Sequence, residues 1–137
     1  MQHDPVLVQD TRAWFRKVAV DLRSAEAALA ADPPVLEDLV FHCQQAAEKA
    51  MKGFLTWHQR DFGKTHDLRE LGRACAQVDE VLGPLMERAM PLTRYAWRFR
   101  YPGDPEEPSD EEARQALAVA REATGALLDR LPGDVRP

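Results

Sequence analysis

The sequence has little cysteine, no long apolar run and few signs of β-structure, and each shortage narrows the classes of protein that it can encode. Its two cysteines, Cys43 and Cys75, both fall in helical apolar patterns. Two are too few for a disulfide scaffold or for a cysteine-based metal site. We therefore expect two buried free thiols, with no metal and no cofactor. No apolar run approaches the roughly 20 residues that a membrane-spanning helix needs.

The chain also lacks an excess of positive charge. Its 18 Lys and Arg are outnumbered by 23 Asp and Glu, which gives a net charge of −5. This balance argues against a protein that coats nucleic acid, although a local basic patch stays open. The N-terminal stretch "MQHDPVLVQDTRAW" has no apolar signal core, so we expect a cytoplasmic protein that does not enter the membrane.

Helical spacing of apolar residues recurs along the chain, whereas the alternation typical of strands is almost missing. This pattern predicts an all-α fold, an antiparallel up-and-down bundle of four to five helices. The 137 residues are enough for one domain with a real core. We place that domain at residues 10–131, between an N-terminal tail at 1–9 and a frayed C-terminal tail at 132–137.

Start and stop signals divide the domain into five helices. They are predicted at about residues 10–31, 35–59, 66–82, 85–99 and 109–131. Asp10 or Thr11 would cap the first helix, and Gly83-Pro84 would end the third. Pro91 would disturb the fourth, and Ser109 would cap the last, with Glu112 three residues further on.

The second helix has one apolar side and one polar side. The apolar side, centred on Cys43, is predicted to face the core. The polar side carries Phe41, Gln45, Glu48, Lys49, Lys52 and Thr56. It is either a solvated surface with an ion pair between Glu48 and Lys52, or a face that meets a second copy of the chain, as an exposed Phe41 suggests. The candidate dimer residues are Phe41, Gln45, Glu48 and Lys52.

The stretch "FHCQQAAEKAMKGFLTWHQRDFGKTHDLREL" resembles the signature of the HEPN domain family, the higher eukaryotes and prokaryotes nucleotide-binding domain. The matching positions are Phe41, Gln44, Gln45, Ala46, Glu48, Lys49 and Lys52, then Thr65, His66, Asp67 and Leu68. A second element, "RYP" at 100–102, follows in the right order. The resemblance implies a bundle of about five helices, commonly dimeric. Such domains are often encoded beside a small nucleotidyltransferase in two-component, toxin–antitoxin-like systems.

The same resemblance raises the question of RNA cleavage. Some family members are metal-independent RNases that use an arginine and a histidine, and "RDFGKTH" supplies Arg60 and His66 at a compatible spacing. The arginine would stabilise charge on the phosphate, and the histidine would transfer protons. Two other roles for His66 stay open. It could belong to the cap of the third helix with Thr65 and Asp67, or it could bind phosphate at that helix start.

A second basic cluster, "RYAWRFRY" at residues 94–101, interleaves arginines with aromatic side chains. This mixture suits phosphate contact and base stacking, but the arginines could also pair with the acidic loop "DPEEPSDEE". The favoured prediction is a HEPN-type module, not an enzyme, that binds nucleotide or nucleic-acid phosphate through Lys49, Lys52, His66, Arg98 and Arg100. The alternatives are a metal-independent RNase toxin using Arg60 and His66, and a dimeric scaffold without a ligand.

Overall fold

The computed structural model describes residues 2–103 and 106–137, and this part of the chain is helical, without a β-strand. It has three short 3₁₀ helices, at Glu80–Leu82, Met90–Ala96 and Gly133–Val135. Its five α-helices are α1 (Pro5–Ala30), α2 (Leu36–Trp57), α3 (Leu68–Val78), α4 (Gly83–Ala89) and α5 (Asp110–Asp129). The predicted all-α antiparallel bundle is confirmed. None of the helices in these ranges has the length and apolar content that crossing a membrane requires.

Helix α2 is the central element of the bundle. It packs against α1, α3, α5 and the 3₁₀ helix at Met90–Ala96. Its predicted inner face is buried from Leu39 to Phe54, which confirms the helical projection. Cys43 and Cys75 are free and buried, as predicted, and burial raises the pKa of each thiol to about 12.

Helices α1 and α2 come close to each other at Gly53 of α2. A Cβ atom at Gly53 would lie 2.9 Å from the Cβ of Trp14 and 2.8 Å from the Cε2 of Phe15. Side-chain atoms do not normally come so near, so glycine is what allows the two backbones to approach here. This contact fixes how α1 lies along the polar side of α2.

The start of α1 differs from the prediction. The helix begins at Pro5, and the Asp4 side chain caps it by accepting a hydrogen bond from the Val6 amide at 2.9 Å. Proline is favoured in the first turn because its missing N–H has no helical partner there. The predicted start at Asp10 or Thr11 is therefore wrong, and most of the predicted tail at 1–9 is helical. Met1 lies outside the described residues.

The segment after α3 also differs. The third helix ends at Val78, and the side chain of Asp79 caps the 3₁₀ turn that follows, accepting from the Val81 amide at 3.1 Å. Pro84 then lies in the first turn of α4, so Gly83-Pro84 begins a helix instead of ending one. The predicted disturbance at Pro91 is confirmed, since the chain changes from α-helix to 3₁₀ helix at Met90.

The C-terminal end is packed, not frayed. Val135 is fully buried, and the Arg12 guanidinium of α1 donates to the backbone carbonyl of Asp134. The predicted frayed tail at 132–137 is therefore wrong. The last α-helix agrees with the prediction, because Ser109 caps it by accepting from the Glu112 amide at 3.0 Å.

Candidate functional site

The polar residues of α2 converge on a buried carboxylate, Glu48, which is only 4% exposed. Three side chains donate hydrogen bonds to it. Gln44 Nε2 lies 2.9 Å from one oxygen, and Lys52 Nζ and His66 Nδ1 lie 3.2 and 3.0 Å from the other. Gln45 extends this Glu48 network, because its Nε2 donates to the side-chain oxygen Oε1 of Gln44 at 2.6 Å. Five of the residues shared with the HEPN signature, Gln44, Gln45, Glu48, Lys52 and His66, are thus joined in one network.

The partners of Glu48 keep it charged. Burial alone would raise the pKa of this carboxyl, but the hydrogen bonds from His66 and Gln44 and the charge of Lys52 outweigh burial and hold the pKa below its ordinary value. A buried carboxylate with matched donors can remain ionised, whereas removing one donor leaves an uncompensated charge. The network is therefore a unit whose members depend on one another.

Lys52 is the second buried charge of the network. Its side chain is 8% exposed, and the ammonium group lies 5.9 Å from the ring centre of Trp14 and 5.6 Å from that of Phe62. These rings and Glu48 surround the cation, in a geometry that suits cation–π attraction. The predicted ion pair between Glu48 and Lys52 is confirmed, but the interpretation of this side as a solvated surface is wrong for both residues.

A second carboxylate, Asp21 of α1, holds the other polar residues of α2. It is 6% exposed and receives His42 Nδ1 at 2.9 Å and Lys49 Nζ at 2.6 Å. Sequence reasoning missed Asp21. The signal was available, because Asp21 lies three residues after Val18 and four before Ala25 on the apolar stripe of α1, where an unpaired acid would be costly.

The predicted phosphate ligands Lys49 and Lys52 therefore each have a carboxylate partner inside the chain. The predicted dimer residues divide into an interior pair and a partly exposed pair. Glu48 and Lys52 are interior, which leaves Phe41 and Gln45, both partly exposed, within reach of a second copy. Phe41 is not the exposed ring that the sequence predicted, because the Arg100 guanidinium covers it with 3.6 Å between the guanidinium carbon and the ring centre.

The basic cluster after α4 is divided into a part that contacts α5 and a surface part. The Tyr95 hydroxyl donates to Glu112 at 2.5 Å, and Arg94 lies beside both. Burial and the Glu112 carboxylate raise the pKa of Tyr95. Arg94 thus fulfils the predicted pairing with the acidic loop, of which Asp104 and Pro105 lie outside the described residues.

Arg98 and Arg100 form the surface part, and both are exposed. Each guanidinium lies over an aromatic ring, Arg98 over Phe99 at 4.8 Å and Arg100 over Phe41 at 3.6 Å. Among the described residues neither has a carboxylate within ion-pair distance. Trp97, beside them in the chain, is 60% exposed. We call Phe41, Trp97, Arg98 and Arg100 the arginine–aromatic patch.

The structure gives His66 and Arg60 different surroundings. The His66 side chain is 74% exposed, with Nδ1 held by Glu48. Arg60 lies beyond the end of α2, exposed, where its charge helps to lower the pKa of His58 after the larger effect of burial. Within the described residues no hydrogen bond or ion pair joins Arg60 to His66.

The cap of α3 is made by Asp67, not by Thr65 or His66. Asp67 accepts from the Arg69 amide at 2.9 Å, while Thr65 accepts from the Asp67 amide at 3.1 Å. The Leu68 amide is also bonded, to the Thr93 hydroxyl. Two amides of the first turn are thus already used, and the His66 ring is bonded to α2 instead. In residues 2–103 and 106–137, no group of three His, Cys, Asp or Glu side chains is arranged to hold a metal ion.

The fold and this site define a class of protein: a small helical bundle whose central helix carries a buried ionic network, with a patch of arginines and aromatic rings at its surface. A family model of the HEPN domain matches residues 11–130 of the 137. The chain therefore belongs to the HEPN domain family, as the two motifs had suggested. Searches among curated proteins and among solved structures gave no match.

Proposed function

We propose that this HEPN domain binds the phosphate groups of a nucleotide or nucleic acid, and that it acts as a homodimer beside a small nucleotidyltransferase in a two-component, toxin–antitoxin-like system. The binding proposal rests on one observation, the position of the exposed Arg100 side chain. Its guanidinium is held in place by the ring of Phe41 at 3.6 Å. A ring orients the cation without neutralising it, so the charge stays available to an anion.

The arginine–aromatic patch has the chemistry of a nucleic-acid contact. Arginines with exposed aromatic rings bind phosphates and stack on bases in proteins that recognise single strands. Trp97 offers such a ring, and Arg98 a second exposed cation. The net charge of −5 makes a local patch necessary, because the chain as a whole repels polyanions.

His66 lies on the same side of α2 as Arg100. The ring of Phe41 contacts the Arg100 guanidinium, and the carboxylate of Glu48 is hydrogen-bonded to His66. These two α2 residues are seven positions apart, which places them on one face, about 10 Å apart along the helix axis. A ligand with more than one phosphate, or a short piece of RNA, can span that distance. We therefore propose that the ligand contacts Arg98, Arg100 and His66. Lys49 and Lys52 instead stabilise the packing of α1 against α2.

The binding proposal is tested by fluorescence anisotropy with a labelled single-stranded RNA, and with ATP as competitor. Arg100→Ala should weaken binding by about 5- to 30-fold, as expected for a charged hydrogen-bonding group, and should reduce the salt dependence by about one unit of slope. Arg114→Ala is the matched control, because it removes an equal charge from an arginine that pairs with Asp110 on α5. Equal losses in both variants would mean that only net charge matters, and no binding by the wild type would refute the proposal.

The dimer and partner proposals rest on the family and on the partial exposure of Phe41 and Gln45. Light scattering after gel filtration tests the dimer. Gln45→Lys would place a charge in the proposed interface, so the mass should fall from dimer to monomer. A monomeric wild type would contradict the dimer. A dimer that binds neither RNA nor ATP would favour the scaffold. Co-elution with a purified nucleotidyltransferase encoded beside this chain tests the partner.

A second candidate function is metal-independent RNA cleavage, and one observation favours it. His66 is held by a buried carboxylate and exposes the rest of its ring to solvent, as a proton-transfer group requires. RNA cleavage in the presence of EDTA tests this candidate. Cleavage that is lost in both His66→Ala and Arg60→Ala would establish the RNase. Cleavage that survives Arg60→Ala would exclude Arg60 from the chemistry.

A further inference from the structure

The contact between His66 and Glu48 joins an exposed ring to a buried carboxylate. The His66 side chain is 74% exposed, that of Glu48 is 5% exposed, and the atoms in contact, Nδ1 and Oε2, are 3.0 Å apart. The histidine lies on the link that precedes α3, whereas the carboxylate belongs to α2. The bond therefore fixes one edge of a ring that would otherwise turn freely in water.

The chemistry of the partner decides which nitrogen carries the proton. An ionised carboxylate only accepts hydrogen bonds, so Nδ1 must be the donor. In the neutral ring the proton then lies on Nδ1, and Nε2 carries a lone pair on the side away from Glu48. In the protonated ring the same Nε2 donates outward. Carboxylates that orient histidine in this way set its tautomer and direction in many sites.

We propose that Glu48 is a positioning residue for His66, holding the ring in the tautomer with Nδ1 protonated, so that Nε2 is the atom presented to a ligand. The ligand-contacting part of this inference rests on the proposed function, while the tautomer does not.

The carboxylate is well suited to this task because its own orientation is fixed. Gln44 binds the oxygen that His66 does not use, and Lys52 shares the oxygen that it does. Gln45 in turn fixes the amide of Gln44. Rotating the carboxylate to release His66 would break these bonds in the interior, where unsatisfied polar groups are costly.

The tautomer is measured directly by long-range ¹H–¹⁵N NMR of the ring nitrogens, with His66→Ala used to assign the signal. The wild type should show Nδ1 protonated in the neutral ring of His66. Glu48→Met, which has about the same length but no oxygen to accept from Nδ1 and is checked for folding by circular dichroism, should remove that preference. Asp21→Leu is the matched control, because it removes the carboxylate that holds His42 and should leave the His66 signal unchanged.

Binding separates this inference from the proposed function. With the labelled RNA, Glu48→Met should weaken binding by about 3- to 10-fold, the size of one hydrogen bond, and should have no further effect when His66 is already alanine. A neutral wild-type ring protonated on Nε2 would overturn the inference, and this measurement needs no variant. Wild-type affinity in Glu48→Met would overturn it too. If the tautomer is as expected but the wild type binds no RNA or ATP, the proposed function fails and the positioning of the ring stands.

Discussion

The change Gly53→Ala places one methyl group at a close contact between α1 and α2. That carbon would lie 2.8 Å from Phe15 Cε2 and 2.9 Å from Trp14 Cβ, about 1 Å inside normal contact distance. Phe15 is buried, and the Trp14 Cβ is attached directly to the backbone of α1, so neither atom has room to move independently. The helices must separate locally, or Phe15 must leave its place.

Two opposing effects set the magnitude. Replacing glycine by alanine inside a helix stabilises the folded chain by about 1 kcal/mol, since alanine loses less backbone entropy. Overpacking a tight contact costs about 1–3 kcal/mol. The second effect is larger here because the clash involves two side chains at once, so we expect the free energy of unfolding to fall by about 1–2 kcal/mol.

Gly125 of α5 provides the matched control. It is also inside a helix, and a Cβ there would meet no atom within 4 Å. Gly125→Ala should therefore keep the helical gain and raise the free energy of unfolding by up to about 1 kcal/mol. Urea titration measures both variants, and melting should separate them by roughly 4 °C per kcal/mol for a domain of this size. Equal stabilisation by both changes would refute the close contact between α1 and α2.

The other predictions concern buried groups. Because the pKa of Glu48 is lowered in the fold, its contribution is complete above the ordinary carboxyl pKa of about 4.3 and disappears as the pH falls through the lowered value. Urea titrations should thus show Glu48→Gln less stable than wild type at pH 7, with a gap that narrows as the pH falls below the ordinary carboxyl pKa; a gap that does not change with pH would contradict the charged network. Cys43 and Cys75, buried and with a pKa of about 12, should resist iodoacetamide at pH 8 in the native protein and react in guanidinium, so rapid native labelling would argue against their burial. Val135→Ala should lower the free energy of unfolding by about 1–3 kcal/mol, whereas a frayed tail would show no change.

The parts of the fold that the sequence predicted are those with local causes. The cap of α5 needs only Ser109 and an amide three residues later, and the inner face of α2 follows from helical periodicity alone. The prolines were harder, because a proline both ends a helix and begins one. Pro5 begins α1 several residues before the start that the capping residues predict. Pro84 begins α4 at a position where the sequence predicts the end of a helix.

The site was predicted in its residues but not in its arrangement. The helical projection separates Glu48 and Lys52 correctly from the apolar side of α2. It gives no information on whether another segment covers them. Here Trp14 from α1 and Phe62 from the following link lie beside Lys52, and His66 contacts Glu48. Asp21, which organises the second network, is 28 residues from Lys49 in sequence, and no local pattern connects the two.

Asp21 also contributes to the alignment of α1 against α2. It accepts from His42 and Lys49, which are seven residues, or two turns, apart on α2. Ala46 lies between them, and Gly53 beyond them is the position at which Trp14 and Phe15 of α1 come close to α2. By accepting hydrogen bonds from both His42 and Lys49, the carboxylate sets the register of α1 against α2. Apolar residues of similar size in place of these three side chains should give comparable stability, but they would remove the directional hydrogen bonds that favour this one alignment of the helix pair.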